Sequence, residues 1–191
     1  MSDGSRLHAA LAAGEFVGGH RPWPRARVTP ELWRELIQGL AGGAWSLLGF
    51  WGEPDAVHLG LWEESSGTVG VASLSCQDGQ FPSVGRRHPP AQRLERAIVD
   101  LFGLQATDAP DHRPWLDHGR WPLAYPLAET NARARPLPPY AFLPVEGESL
   151  HQIPVGPVHA GIIEPGHFRF TANGEAVVRL EQRLGYVHKG I

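Results

Sequence analysis

The sequence predicts an α+β fold, with a small mixed or antiparallel sheet flanked by helices, then a proline-rich linker and a β-hairpin module. Strand-like runs follow one another at short intervals in the first half, and helical apolar spacing recurs on both sides of them. Near residue 131 the composition becomes proline-rich and then β-rich again. We therefore expect a first domain over 1–130, a linker over 131–149 and a hairpin piece over 150–191.

Helices are predicted where apolar residues recur at a spacing of three and four between capping residues and a terminal glycine. These segments are Ser5–Ala13, Thr29–Leu40 and Pro89–Phe102. In the third, Leu94 and Ile98 are expected to face the core, with Glu95 on the flank. Arg96 precedes Asp100 by four residues, a spacing that permits an ion pair on the helix surface.

Strands are predicted over Ala44–Gly52, Ala56–Glu63 and Gly67–Cys76, and the short turns between them favour an antiparallel meander. Apolar residues alternate in the second run, which indicates one covered face. His58 falls on the other face and is expected at the surface or toward a partner. Further along, Phe168–Phe170 alternates as a strand, and a two-residue hairpin turn is predicted at Asn173–Gly174.

Charge and hydropathy exclude several classes of protein. The 191 residues carry a net charge of −3 and are 42% hydrophobic and 19% charged, which is typical of a packed protein. There is no excess of positive charge to attract nucleic acid. There is no run of about 18 apolar residues that would span a bilayer. Met1–Gly14 lacks the cationic segment and long apolar core of a signal peptide. Any membrane association is therefore expected to come through partners.

Because Cys76 is the single cysteine, these residues cannot form an internal disulfide, an iron–sulfur cluster held by thiolates alone or a Cys-x-x-Cys metal site. Its strand setting favours a small buried side chain over a nucleophile. A hydrolase built on Cys76 is a further hypothesis, but no recognisable motif supplies its base.

Two stretches resemble proteins of bacterial complex I. The run Leu94–Gly103, preceded by Phe81–Val84, resembles the signature of the C-type subunit, Glu-Arg-Glu followed two residues later by Asp-Leu-Phe-Gly, with Ala97 in place of the second glutamate. Ala109–Pro114 and Trp121–Pro126 continue that pattern. The resemblance implies a C-like domain that docks iron–sulfur subunits.

The second stretch, Gly156–Phe168 with Gly185–Ile191, resembles the start of the D-type subunit of complex I and its hydrogenase relatives. In the D-type protein this loop carries a second histidine, associated with the quinone head group, four residues after the first. Ile163 stands at that position here. The Ile-Ile-Glu-Pro-Gly-His-Phe-Arg version instead resembles large subunits of formate-hydrogenlyase-type, complex-I-like nickel–iron hydrogenases, in which a C-like domain is fused to a D-like one.

This resemblance implies the front part of an oxidoreductase subunit that is not active alone. A nickel–iron centre needs thiolates, which the family supplies from two Cys-x-x-Cys pairs, the first expected soon after the Gly185–Ile191 motif. We therefore expect a truncated chain with no cofactor of its own, within a complex that holds a nickel–iron centre and 4Fe-4S clusters. The alternatives are a fused C/D subunit of an NADH:quinone oxidoreductase and a non-catalytic docking or assembly module.

Glu164 is the candidate catalytic residue, since the resemblance implies a proton relay once the missing domain is present. Partial desolvation raises the proton affinity of a carboxylate, which suits that role; the alternative is a loop glutamate that faces water. His159 and His167 would belong to the same active-site loop. These three residues match no recognised metal-ligand spacing, and neither do the histidines and aspartates between positions 111 and 118, so no metal site is predicted.

Arg113, Trp115, Arg120 and Trp121 are the candidate partner interface, because exposed arginine and tryptophan often anchor protein contacts. The alternative is local packing of a long loop. The resemblance implies an iron–sulfur small subunit and a ferredoxin-like subunit as partners. It also implies a cytoplasmic location at the inner face of the cell membrane, held there indirectly through partner subunits.

Overall fold

The computed structural model describes residues 5–119, 121–129 and 140–187, together with the backbone of 132–133. The chain divides into two compact units, Met1–Pro138 and Pro139–Ile191. In chain order the elements are α1 (Arg6–Leu11), β1 (Glu15–Phe16), β2 (Arg25–Val28), α2 (Pro30–Ala41), β3 (Ser46–Glu53), β4 (Ala56–Glu63), β5 (Thr68–Ser75), β6 (Gln80–Pro82), α3 (Gln92–Phe102), β7 (Gln105–Thr107), β8 (Leu123–Ala124), β9 (Ala132–Arg133), β10 (Leu150–Val155), β11 (His167–Asn173) and β12 (Ala176–Arg183).

The first unit is built on a five-stranded sheet in the order β1-β2-β5-β4-β3. The meander β3-β4-β5 is antiparallel, as the short turns predicted. Strand β2 joins the far side of β5 in parallel, which makes the sheet mixed. The predicted α+β class with a small mixed sheet and flanking helices is therefore confirmed.

The helices cover one face of this sheet, and at two glycines of the sheet a larger residue would clash with them. A Cβ added at Gly70 would lie 2.4 Å from Leu11 of α1, and one at Gly52 would lie 2.9 Å from Phe102 of α3. Trp33 of α2 is fully buried and donates from Nε1 to the carbonyl of Pro82 at 3.1 Å. The core therefore lies between the sheet and these helices.

Helix α3 ends as predicted at Gly103, whose φ of 75° is the left-handed conformation that favours glycine. Its start differs, since Pro89–Ala91 forms a 3₁₀ turn. Leu94 is 39% exposed, so its predicted place in the core is wrong, whereas Ile98 is buried. Within the described residues, no helix combines the length and apolar character needed to cross a membrane.

The second unit holds a three-stranded antiparallel sheet in the order β10-β11-β12. The predicted strand at Phe168–Phe170 lies inside β11. The turn into β12 is formed by Gly174 and Glu175, one residue later than predicted, because Asn173 still pairs with Ala176. The left-handed φ of Gly174, 58°, permits this tight turn.

Residues 140–146, which we call the strap, form hydrogen bonds to the outer strand β12 and ring contacts with the central strand β11. Glu181 accepts hydrogen bonds from the hydroxyl of Tyr140 at 2.6 Å and the amide of Leu143 at 2.9 Å. The guanidinium of Arg169 lies 4.0 Å from the ring centroid of Phe142. The second half of the predicted linker is therefore packed on its own unit, and positions 134–139 lie outside the described residues.

Candidate functional site

The polar residues of α3 fix two neighbouring loops. Glu95 is buried and accepts hydrogen bonds from the hydroxyl of Ser83 at 2.9 Å and the amides of Val84 at 2.7 Å and Gly85 at 3.1 Å. Burial raises the pKa of Glu95, against the lowering effect of these hydrogen bonds. The prediction that Glu95 lies on the flank of the helix is thus wrong. It is the acceptor that closes the 83–85 turn.

Asp100 holds the second loop, residues 111–119, which we call the anchored loop. Its Oδ2 accepts the backbone N–H groups of Trp115, Leu116 and Asp117 at 2.7, 2.6 and 3.2 Å. Three successive amides converging on one carboxylate oxygen form a charge-assisted clamp. The loop conformation is therefore set by a side chain of α3.

Arg96 fixes the same loop from one turn earlier on α3. It donates to the carboxylate of Asp111 at 3.0 Å and to the carbonyls of Arg113 at 2.6 Å and Pro114 at 2.9 Å. Hydrogen bonds from the side chain and the backbone of Arg113, together with the charge of Arg96, lower the pKa of Asp111 to about 2, against the effect of burial. The spacing of Arg96 and Asp100 permits an ion pair on the helix surface, but each side chain bonds to the loop instead.

Of the predicted interface residues, Arg113 and Trp115 lie together on the anchored loop. The Trp115 ring is half-buried, with the guanidinium groups of Arg93 and Arg96 at 5.2 and 5.3 Å from its centroid. The side chain of Arg113 is 70% exposed and donates to Asp111. Trp115 therefore packs against the two arginines of α3, whereas the side chain of Arg113 faces outward.

The remaining interface candidates lie where the anchored loop ends. Trp121 is half-buried, and its amide lies 3.4 Å from Oδ1 of Asp117. Arg120 lies outside the described residues. The side chains of His112, Leu116 and His118 are exposed on the loop. Charged, apolar and imidazole side chains are thus exposed along the same anchored loop.

In the second unit, His159 and Glu164 are brought together through the backbone. The Nε2 of His159 lies 3.3 Å from the carbonyl oxygen of Glu164, while its Nδ1 accepts from the amide of Gly161 at 3.2 Å. Glu164 is exposed. His167 contacts the carbonyl of Gly156 from Nδ1 at 3.1 Å. Across the described ranges, no group of three histidine, cysteine, aspartate or glutamate side chains is placed to hold a metal.

His58 is fully buried, so its predicted surface position is wrong. The Trp51 ring covers it at a centroid distance of 5.3 Å, and its Nδ1 lies 2.9 Å from the hydroxyl of Ser73. Its Nε2 lies 3.4 Å from Glu53 but makes no hydrogen bond within the described part of the chain. Burial lowers the pKa of His58 to about 4, outweighing the opposite effect of Glu53. His58 is therefore a neutral, internal residue at pH 7.

Cys76 is buried immediately after β5, as its strand-like setting predicted. Burial, followed by the charges of Asp78 and Asp55, raises the pKa of its thiol to about 12. A thiol held neutral in this way is a poor nucleophile and a poor metal ligand. Since a nickel–iron centre needs several thiolates, the residues of this chain do not fit that centre.

Residues 56–133 match the family model of the respiratory-chain NADH dehydrogenase 30 kDa subunit. The chain is 38% identical over 128 residues to Hydrogenase-4 component G and 36% identical over 121 residues to formate hydrogenlyase subunit 5, both of Escherichia coli (strain K12). These alignments cover 63% and 59% of this chain, and it spans only 23% and 21% of the two relatives. A trypsin-resistant fragment of Nqo5 is 21% identical, with a TM-score of 0.45 over 55% of this chain and 95% of that one.

Proposed function

We propose that this chain, whose residues 56–133 match the family model of the respiratory-chain NADH dehydrogenase 30 kDa subunit, is the front part of a large subunit in a hydrogenase-like electron-transfer complex. One curated relative is named as a component of Hydrogenase-4 and the other as a subunit of formate hydrogenlyase. In this proposal the first unit docks an iron–sulfur small subunit and a ferredoxin-like subunit. The chain is held at the inner face of the cell membrane only through them, and it is not catalytic alone.

The observation that carries the docking role is the anchored loop. Twelve residues separate Asp100 from the exposed Arg113 along the chain. Arg96 and Asp100 nevertheless hold the loop that carries Arg113 against α3, through hydrogen bonds with the carbonyl of Pro114 and the amide of Trp115. A loop fixed before binding loses little conformational entropy when a partner arrives. Exposed arginine on such a rigid surface is a residue type that often dominates binding energy.

The docking role is tested by exchanging two exposed arginines. Arg113→Ala removes the outward charge while Arg96 still holds Asp111. Arg27→Ala removes an equally exposed arginine of β2, at the far side of the sheet from β3, the strand that α3 contacts. We expect Arg113→Ala to weaken binding of the purified iron–sulfur subunits about tenfold or more, the scale of an interface anchor. Arg27→Ala should bind like the unmodified chain. Equal affinities for both variants would contradict docking through this loop.

We also propose that Glu164 relays protons in the complete subunit, with His159 and His167 shaping its loop. The support is the hydrogen-bonded turn that joins His159 to the Glu164 backbone, with the side chain of Glu164 exposed. Glu164→Gln keeps the size but removes the exchangeable proton, so hydrogen evolution per nickel should fall about 100-fold. Nickel content should stay unchanged. Unaltered turnover per nickel would refute the relay.

A further inference from the structure

Arg93 is an exposed arginine of α3 that the sequence patterns did not single out. Its guanidinium lies 5.2 Å from the ring centroid of Trp115 and makes no hydrogen bond or ion pair with the described residues of the chain. A guanidinium over an aromatic ring is held in place without using its N–H donors. The donors of Arg93 are therefore available to a group outside this chain.

The two neighbouring arginines differ from Arg93, because both bond to the carboxylate of Asp111. Arg96 donates to it at 3.0 Å and also donates to two backbone carbonyls of the anchored loop. Arg113 donates to it from Nε and Nη2 at 2.9 and 2.7 Å. The Asp111 side chain is only 16% exposed. This carboxylate is therefore already occupied by two guanidinium groups.

The charges around Arg96 are unequal in number and in exposure. Burial lowers the pKa of Arg96, and the charges of Asp111, Arg113, Asp100 and Arg93 all act on it, so these five residues form one group. Three of them are cations and two are anions. Both carboxylates lie mostly inside, whereas Arg93 and Arg113 are exposed. The group therefore presents positive charge outward.

The ring that supports Arg93 is itself fixed within the chain. Asp100 accepts the amide of Trp115 at 2.7 Å, and the guanidinium of Arg96 lies 5.3 Å from the centroid of the same ring. Asp117, the other acidic residue of the anchored loop, is half-buried and accepts an amide of that loop. An arginine held over a fixed ring loses little conformational entropy when it forms a contact.

We infer that Arg93 binds an aspartate or glutamate side chain of the iron–sulfur subunit that docks on the anchored loop. This inference rests on the proposed function and adds the chemistry of the partner surface. A carboxylate accepts two parallel N–H bonds from one guanidinium and balances the excess positive charge. An apolar partner would bury the guanidinium without an acceptor, at a cost in free energy. A second copy would bring two positively charged surfaces together.

Three substitutions of Arg93 separate its charge from its packing on Trp115. Arg93→Lys keeps the charge without the planar guanidinium, Arg93→Gln removes the charge and Arg93→Glu reverses it. Arg27→Gln is the control, since Arg27 is an exposed arginine of β2. Binding of the full chain to the purified iron–sulfur small subunit and ferredoxin-like subunit is measured at about 50 mM and about 500 mM salt, because salt screens exposed charges. Far-UV circular dichroism checks that each variant is folded.

At the lower salt concentration, we expect Arg93→Gln to weaken binding about tenfold and Arg93→Glu at least about thirtyfold, because the partner carboxylate loses its counter-charge. Arg93→Lys should stay within about threefold of the unmodified chain. At the higher salt concentration, the loss in Arg93→Gln should shrink to about threefold or less. Arg27→Gln should bind like the unmodified chain at both concentrations.

The outcomes distinguish this inference from the proposed function. If Arg93→Glu bound like the unmodified chain while Arg113→Ala still weakened binding, the inference about Arg93 alone would be overturned. Equal losses in Arg93→Lys and Arg93→Gln that did not change with salt would show that Arg93 only packs on Trp115, which would also overturn it. If the unmodified chain did not bind the iron–sulfur subunits, the proposed function would be overturned together with the inference.

Discussion

Replacing Glu95 tests whether the polar residues of α3 hold the first unit together. Glu95→Ala leaves three donors without their acceptor, namely the Ser83 hydroxyl and the amides of Val84 and Gly85. A buried donor left unsatisfied costs about 1–3 kcal/mol. Water that enters the vacated space recovers part of this cost. We therefore expect a loss of about 3 kcal/mol in the free energy of unfolding of the first unit.

Glu95→Gln separates the contribution of the hydrogen bonds to stability from that of the negative charge. One glutamine oxygen can still accept the amides of Val84 and Gly85, which converge on a single carboxylate oxygen. Its amide nitrogen then faces Ser83 and donates to that hydroxyl, and the cost of burying a charge is removed. These effects oppose each other, so Glu95→Gln should change the stability by less than about 1 kcal/mol at pH 7.

The effect of pH on this pair of variants follows from the raised pKa of Glu95. A carboxyl whose pKa is higher in the folded state stabilises the fold when protonated, and this contribution is lost as pH rises through the folded pKa. The unmodified chain should therefore lose stability relative to Glu95→Gln as pH rises above about 4, the pKa of an unfolded glutamate, until it passes the raised pKa of the folded chain. In Glu95→Ala, the melting temperature should be about 10 °C lower at pH 7.

Calorimetric melting of the isolated chain at several pH values measures all three effects. Far-UV circular dichroism at low temperature provides the control that each variant still folds. If Glu95→Ala melted within about 2 °C of the unmodified chain, the acceptor role of Glu95 would be refuted. If Glu95→Gln were as unstable as Glu95→Ala, the charge rather than the hydrogen bonds would be the stabilising feature.

Two further predictions concern His58 and Asp100. Because burial lowers the pKa of His58 to about 4, only the unfolded chain takes up this proton between pH 6.5 and 4; stability should fall by about 1–2 kcal/mol from pH 7.5 to 5. His58→Gln should flatten that dependence in urea unfolding, and an unchanged slope would contradict it. Asp100→Ala should increase chymotrypsin cleavage after Trp115 at least about tenfold, because the amides of the anchored loop lose their acceptor. Asp100→Asn keeps an acceptor and should be cleaved more slowly; equal cleavage of all three proteins would contradict the clamp.

Local sequence signals were sufficient for the three helices and the antiparallel meander of the first unit, but not for its short strands, such as β2 and β7. The hydroxyl of Thr29 accepts from the amide of Leu32 at the predicted start of α2, and Gly103 ends α3 in the predicted conformation. Caps and turns of this kind depend on neighbours within a few residues. The parallel pairing of β2 with β5 joins positions more than forty residues apart, and no local pattern specifies it.

The wrong predictions for polar residues at the candidate site share one cause. The spacing of apolar residues identifies a buried position only when its side chain is apolar. Glu95 is buried through bonds to residues ten to twelve positions earlier. Asp100 and Arg96 bond to the loop fifteen to eighteen positions later. His58 is buried by Trp51 from the adjacent strand, on the face of the sheet opposite the helices. Long-range polar partners of this kind are determined by tertiary structure and leave no periodic signal.

The most direct test of the docking role is the metal content of the chain with and without its proposed partners. A tagged form is purified alone and from cells that also produce the iron–sulfur small subunit and the ferredoxin-like subunit, and iron and nickel per chain are measured. We expect the isolated chain to contain neither metal in near-stoichiometric amount and to evolve no hydrogen. Co-production should yield a complex with iron in the amount that 4Fe-4S clusters require. Near-stoichiometric nickel or iron in the isolated chain, or no iron after co-production, would contradict the account.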